Sequence, residues 1–139
     1  MPRRSSRAAA LHGVHILLVC DDAERGELFA QALKYAGALI TTCASPDEAH
    51  AVMERLRVNV LVVELRTAHD RARFIATVRA LSSEHGGNVP ALVLTGSHDD
   101  GDALRAAGFQ LHLAMPVRAV ELCDAVATLA REPAAWPRL

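Results

Sequence analysis

The sequence predicts an α/β domain built from five strand–helix units around a parallel sheet. Two observations lead there. Nearly unbroken apolar runs recur along the chain, at Val14 to Cys20, Val58 to Val63 and Ala91 to Thr95. Such runs suit strands covered on both faces, because a strand with one wet face alternates polar and apolar residues. Between them lie stretches with helical spacing and short turn signals, and that alternation requires right-handed crossovers with helices on both sides of the sheet.

Each element has a local reason. Asp22 is placed to cap a first helix carrying Leu28, Phe29, Ala32, Leu33 and Ala36 on one side, with Gly37 as its left-handed stop. Ala38 to Cys43 reads as the second strand. Ser45-Pro46-Asp47-Glu48 is a helix start in which serine caps, proline takes the first turn and glutamate completes a capping box. Val52, Met53 and Leu56 are then expected to face inward. Phe74, Ile75, Val78 and Leu81 give the third helix, and Gly86-Gly87-Asn88 breaks the chain before the fourth strand. A short helix from about Asp99 to Ala107 ends at Gly108. A fifth strand covers about Gln110 to Ala114, and a last helix runs from Val117 to about Arg131. The expected organisation is a flexible basic tail over 1–13, one folded domain over 14–131 and a tail over 132–139 closed by Pro133 and Pro137.

Composition excludes several classes. A hydrophobic fraction of 51% with 22% charged residues is that of a globular chain. The net charge of −1 gives no pull toward nucleic acid or a membrane surface. No apolar run reaches the length of a membrane span, and Arg3, Arg4 and Arg7 are not followed by a secretory core. Cys20, Cys43 and Cys123 lack metal-type spacing, so reduced thiols in a cytoplasmic setting are expected. Cys-Asp-Asp-Ala-Glu-Arg after the first strand is too acidic to cradle a nucleotide, which argues against dinucleotide-binding and P-loop enzymes.

In open parallel sheets, ligands bind beyond the carboxyl ends of the strands. That rule directs attention to Cys20, Asp21, Asp22, Glu64 and Thr95. In order and spacing the chain resembles the receiver domain of two-component response regulators, the CheY-like family. The resemblance covers about Val14 to Ala130. It is carried by the acidic pair after strand one, the acid ending strand three, Thr95 ending strand four, Ala106-Ala107-Gly108 before strand five and Met115-Pro116 after it. It implies a doubly wound sheet of strand order 2-1-3-4-5 and a cis peptide before Pro116.

The same resemblance implies a phosphoryl site with missing parts. Receivers phosphorylate an aspartate with help from two acids, a magnesium ion, a hydroxyl and a lysine. Carried onto this chain, the acid positions are Cys20 and Asp21, the phosphoacceptor position is Glu64, and the switch hydroxyl is Thr95. The lysine position is Met115 and the aromatic switch position is His112. Ala68 and Ala72 stand where the family has proline and glycine. Glutamate carries its carboxylate about 1.5 Å farther out than aspartate would, and a misplacement of about 1 Å can cost about a hundredfold in rate. The expectation is a degenerate, non-enzymatic receiver that works by protein–protein contact. Partners implied are a histidine kinase, regulator or output protein docking on helix four, strand five and helix five, with a homodimer as a further possibility.

Glu64 has two readings. It is a built-in phosphomimic accepting a hydrogen bond from Thr95, or simply a polar strand end. Asp21, Asp22, Glu64 and the Arg66 carbonyl form a weak candidate set for Mg2+, with no cofactor otherwise expected. Asp22 is equally a plain helix cap. Met115 leaves Asp21 and Glu64 without an evident counter-charge unless an arginine such as Arg66 turns inward. His69-Asp70 and His98-Asp99-Asp100 are loop candidates for a transition metal. The alternatives kept open are a phosphoacceptor with an unusual site and a sensor of a small ligand in the vacated mouth.

Overall fold

The computed structural model describes residues 10–96 and 100–131. Five parallel strands form one sheet in the order β2-β1-β3-β4-β5. They are β1 His15–Cys20, β2 Leu39–Cys43, β3 Val60–Glu64, β4 Ala91–Thr95 and β5 Leu111–Ala114. The helices are α1 Ala23–Tyr35, α2 Pro46–Arg55, α3 Ala68–Arg79, α4 Gly101–Ala107 and α5 Ala119–Arg131, with a 3-10 turn at Ser83–His85. Among the described residues no helix is long and apolar enough to cross a membrane.

The period-two alternation of the strands splits the core into two layers. Ile16, Leu18, Cys20, Val60, Val62, Leu92 and Leu94 belong to one cluster together with α1 and α5 residues such as Leu33, Leu122 and Val126. Leu17, Val19, Leu61, Val63, Ala91 and Val93 belong to the other, with Met53, Phe74 and Ile75 of α2 and α3. The central strands are buried on both faces, which accounts for their continuous apolar runs.

Helix ends follow the sequence signals closely. Asp22, Ser45 and Thr67 cap α1, α2 and α3 by accepting from Arg25, Glu48 and Asp70 backbone N–H groups. The return bond of the capping box is displaced by one residue, since Glu48 Oε1 accepts from the Ala44 N–H at 2.9 Å. At the opposite end of the sheet from the strand tips, Arg79 ties three segments. Its guanidinium donates to the carbonyls of Gly87, Val89 and Gly108 and to the Gln110 side chain. Gln110 in turn accepts from the Ala91 N–H at 2.7 Å.

Three expectations are corrected. The tail does not extend to residue 13: Leu11 is fully buried in the α1–α5 layer, and its N–H donates to the Ala36 carbonyl at 2.9 Å. The turn over 10–13 therefore closes the bottom of that layer. Leu28 is 64% exposed, because the apolar stripe of α1 runs through Gly26, Phe29, Ala30 and Leu33, about 100° away per residue of offset. Leu56 is also exposed, since the helix ends at Arg55 and Leu56 is its extended C-cap. The short helix before Gly108 begins at Gly101 behind an Asp100 cap, and the expected start at Asp99 lies outside the described residues. The expected tail over 132–139 lies outside them as well.

Leu11→Ala is expected to cost about 2–5 kcal/mol, the usual range for emptying a closed leucine site. Urea unfolding of the two proteins measures it. A cost below about 0.5 kcal/mol, typical of surface positions, would put residue 11 back in a dispensable tail.

Candidate functional site

The mouth of the sheet is set by strand parity. Cys20 and Glu64 are register partners at the ends of β1 and β3. Counting by twos from Leu18 and Val62, both face the α1–α5 layer. Thr95 ends β4 one residue beyond Leu94, so it faces the other layer. His112, flanked by Leu111 and Leu113 of the first layer, shares the Thr95 side.

Glu64 is buried, and its carboxylate is fully engaged. Arg25 donates from Nε to Oε1 at 3.0 Å and from Nη2 to Oε2 at 3.1 Å. This is the two-pronged guanidinium–carboxylate geometry, stronger and more directional than a single ion contact. The Cys20 thiol lies 3.0 Å from Oε1 and 3.2 Å from the Asp22 carbonyl, both within donating reach. The hydrogen bond to Glu64 holds the Arg25 guanidinium above its ordinary range. Burial first, and then the bond to Glu64, push the Cys20 thiol up to about 12.

Local structure explains how Arg25 arrives there. Only Asp21 and Asp22 separate β1 from α1, so the first helical turn lies directly over the mouth. Helical side chains lean toward the N-terminus of their helix. An arginine in that first turn therefore leans back over the strand ends. Asp22 anchors the turn: its Oδ1 accepts from the Arg25 N–H at 2.9 Å, and Oδ2 lies 3.6 Å from the Arg25 Nη1. The backbone bond from Arg25, then the nearby positive charge, keep Asp22 below the usual carboxylate range. Asp21 accepts from the Arg66 backbone N–H at 2.8 Å and so ties the β1 loop to the β3 loop. Arg71 fixes the same β3 loop from below by donating to the Leu65 carbonyl at 2.9 Å.

Thr95 belongs to a separate pair. Its Oγ1 lies 2.6 Å from His112 Nε2 and donates to the Gly96 carbonyl at 3.1 Å. Gly101 opens α4 against this ring, and a Cβ there would come within 3.3 Å of His112 Nδ1. Met115 is partly buried against the α1–α5 layer, and the peptide joining it to Pro116 is cis.

Several expectations change accordingly. The counter-charge for Glu64 comes from Arg25, whereas Arg66 contributes its backbone N–H to Asp21 and leaves its side chain exposed. The expected bond from Thr95 to Glu64 is replaced by Thr95–His112, because the two strand ends present these residues to opposite layers. Among the described residues no three His, Cys, Asp or Glu side chains converge as a metal set, and His98 and Asp99 lie outside those residues. Arg25 was missed by sequence reasoning. Its signal is present in the sequence: an arginine three residues after the Asp22 cap, in a chain with an acid ending β3 and methionine at 115.

No family model matches the chain. An uncharacterised 14.6 kDa protein of Leptolyngbya boryana, encoded in the sodA1 3′ region, is 32% identical over 110 residues, spanning 77% of this chain and 82% of that protein. A protein from Chloroflexus aurantiacus assigned as a response regulator has a crystal structure of TM-score 0.77 to this one, at 25% identity over 85% of this chain and 98% of that one. The receiver domain of a sensor histidine kinase from Pseudomonas aeruginosa, which holds a magnesium ion in its active-site cleft, gives a TM-score of 0.73 at 27% identity, covering 88% of this chain and 99% of that domain.

The raised Cys20 value has a sign. The folded protein keeps the thiol proton between the ordinary value of 9.0 and about 12. Its contribution to stability is therefore complete below pH 9 and declines as pH rises toward 12. Urea midpoints measured from pH 7 to 10.5 are expected to hold and then fall. At pH 8.5, alkylation of Cys20 in the folded protein should be slower than in urea by more than about a hundredfold, because the thiolate is the reacting species. Peptide mass analysis of timed samples reads this directly.

Proposed function

The chain belongs to the CheY-like receiver family of two-component response regulators, and from that membership we propose that it signals by contact with another protein and without accepting a phosphoryl group. The observation that carries this reading is the closure of Glu64 by Arg25 and Cys20. A phosphoacceptor must present a free oxygen to the incoming phosphorus. Here one carboxylate oxygen takes the Nε prong and lies against the thiol, and the other takes the Nη2 prong. The lysine position holds Met115, whose thioether supplies no charge to a developing phosphoryl oxygen.

The magnesium seen in the Pseudomonas cleft does not suit this donor set. Magnesium takes oxygen ligands in near-ideal octahedral geometry. Of the groups that would face it, Cys20 is a protonated thiol, Asp22 caps α1, and Asp21 is bonded to the Arg66 N–H. The nearest carboxylate already faces a guanidinium. Glu64 is thus better read as half of an internal ion pair than as a phosphomimic, since its charge is answered by Arg25 and is not linked to Thr95.

The contact surface proposed is α4, β5 and α5. β5 is an edge strand, and Ala103, Ala106, Ala114, Ala119 and Val120 are exposed along these elements. A small apolar surface of this kind suits a kinase, regulator or output protein, or a second copy of the chain. In this setting the Thr95–His112 pair joins the mouth to that surface through β4, β5 and the start of α4.

Incubation with acetyl phosphate, or with beryllofluoride, in the presence of Mg2+ is expected to leave the intact mass and the amide resonances of Glu64 and Thr95 unchanged. A phosphoryl mass increment mapped to Glu64 would overturn the proposed function in favour of a phosphoacceptor with an unusual site.

A further inference from the structure

The sheet has an open edge on the side away from β5. β2 is an edge strand of Leu-Ile-Thr-Thr-Cys, with no charge, proline or bulge along it. Those are the usual devices that keep an edge strand from pairing with another chain. The Leu39 N–H donates to the Val14 carbonyl, so the backbone groups of Leu39, Thr41 and Cys43 face β1 and those of Ile40 and Thr42 face outward. Ala38 and Ala44 share the outward phase, but their N–H groups are taken by the Leu33 carbonyl and by Glu48 Oε1. The open ladder is therefore Ile40 and Thr42, framed by closed positions. Leu39 beside it is 65% exposed. The two helices that pack over β1 and β2 are α1 and α2. On α2, His50 reaches Thr77 and Phe74 of α3. At 100° per residue, Glu48, Val52 and Arg55 lie on the opposite side of α2, toward the β2 edge. On α1, the Cys123 thiol of α5 meets the Ala32 carbonyl, and Glu27 and Lys34 lie on the other side. Each helix thus turns an acid from its first half and a base from its last turn toward the same edge. Among the described residues none of these four charges has an ion-pair partner.

We propose that two copies of this chain join antiparallel through β2, about a two-fold axis at Thr41, into one continuous sheet. Ile40 of each copy then stands opposite Thr42 of the other and exchanges both backbone hydrogen bonds with it, while Thr41 meets Thr41 as a non-hydrogen-bonded pair. Leu39 gains the Cys43 position of the second copy as its cross-strand neighbour. The same axis sets the start of each flanking helix beside the end of its counterpart, so that Glu48 faces Arg55 on one side of the sheet and Glu27 faces Lys34 on the other. With strands about 4.8 Å apart, helices centred over β1 and β2 come to about 10 Å from their counterparts, which is helix-packing distance. A second copy fits this edge better than a free peptide strand, because only a folded copy brings the helix charges that answer these four. The contact is self-complementary and closes after two copies. It leaves α4, β5 and α5 uncovered, so its failure is distinguishable from failure of the proposed function.

Sedimentation velocity over a dilution series is expected to show a monomer–dimer equilibrium. Thr42→Pro removes the donor of two of the four ladder bonds and no bond to β1. It should return the chain to monomer with its far-UV circular dichroism unchanged. Lys34→Glu sets like charges across the axis and should weaken the dimer by about fivefold or more. Adding Glu27→Lys to that variant should restore the affinity, and this rescue reads the contact even if Thr42→Pro does not fold. Thr41→Cys should form an interchain disulfide under mild oxidant, because the Cα atoms of that pair lie about 4.5 Å apart, within reach of an S–S bond. Peptide mass analysis locates the bridge. A monomer at every concentration reached would overturn the proposal. So would a dimer that withstands both Thr42→Pro and Lys34→Glu, or one that is lost on Val120→Glu instead, which would place the contact on α5.

Discussion

The fork of two hydrogen bonds from Arg25 to Glu64 is the constraint on which the mouth of this domain depends. A carboxylate at the end of a central strand is buried by the strands on either side, and burial without a partner costs several kcal/mol. The chain meets that cost within two short loops. β1 delivers a thiol beside the carboxylate, and α1 begins two residues later and returns a guanidinium over it. The β1 and β3 loops are arranged around that pair. Asp22 fixes the helix turn, and Asp21 joins the β1 and β3 loops through the Arg66 N–H. The ends of β1 and β3 are thereby tied together by contacts made within the chain.

The sheet decides which polar groups can meet. Its two layers separate Glu64, Cys20 and Met115 on one side from Thr95 and His112 on the other. The mouth therefore contains two polar units, each closed on itself. One is ionic and covered by α1. The other is a hydroxyl–imidazole contact tucked under the first turn of α4, where Gly101 makes room for the ring. The second unit is the one that packs against α4 and β5. This division suits a domain whose exchange with its partner runs through surface packing.

Much of the fold could be read before any coordinates. Continuous apolar runs identified the buried strands, and Asp22, Ser45, Gly37 and Gly108 marked helix ends through known capping chemistry. The errors have a common origin. Leu28 and Leu56 were placed inward on hydrophobicity alone, but helix phase and helix end put both in solvent. Leu11 reads as part of a tail because a single leucine followed by His12 and Gly13 gives no periodic signal. Its burial depends on Ala36, a residue far along the chain. At the site, the residue types were visible but their pairing was not. Choosing Arg25 over Arg66 requires knowing that the first turn of α1 lies over β3, a fact of tertiary placement. Uncoupling Thr95 from Glu64 follows from strand parity and could have been counted from Leu94 and Val62.

The thiol of Cys20 has a consequence for substitution at the mouth. Aspartate at position 64 would shorten the acid away from Arg25 and leave the thiol only the Asp22 carbonyl as an acceptor. An acid at position 20 would crowd two like charges around a single arginine. Met115 keeps an apolar side chain packed against the layer below. The side chains of Cys20, Arg25 and Glu64 therefore constrain one another, and a substitution at any one of them changes what the other two face.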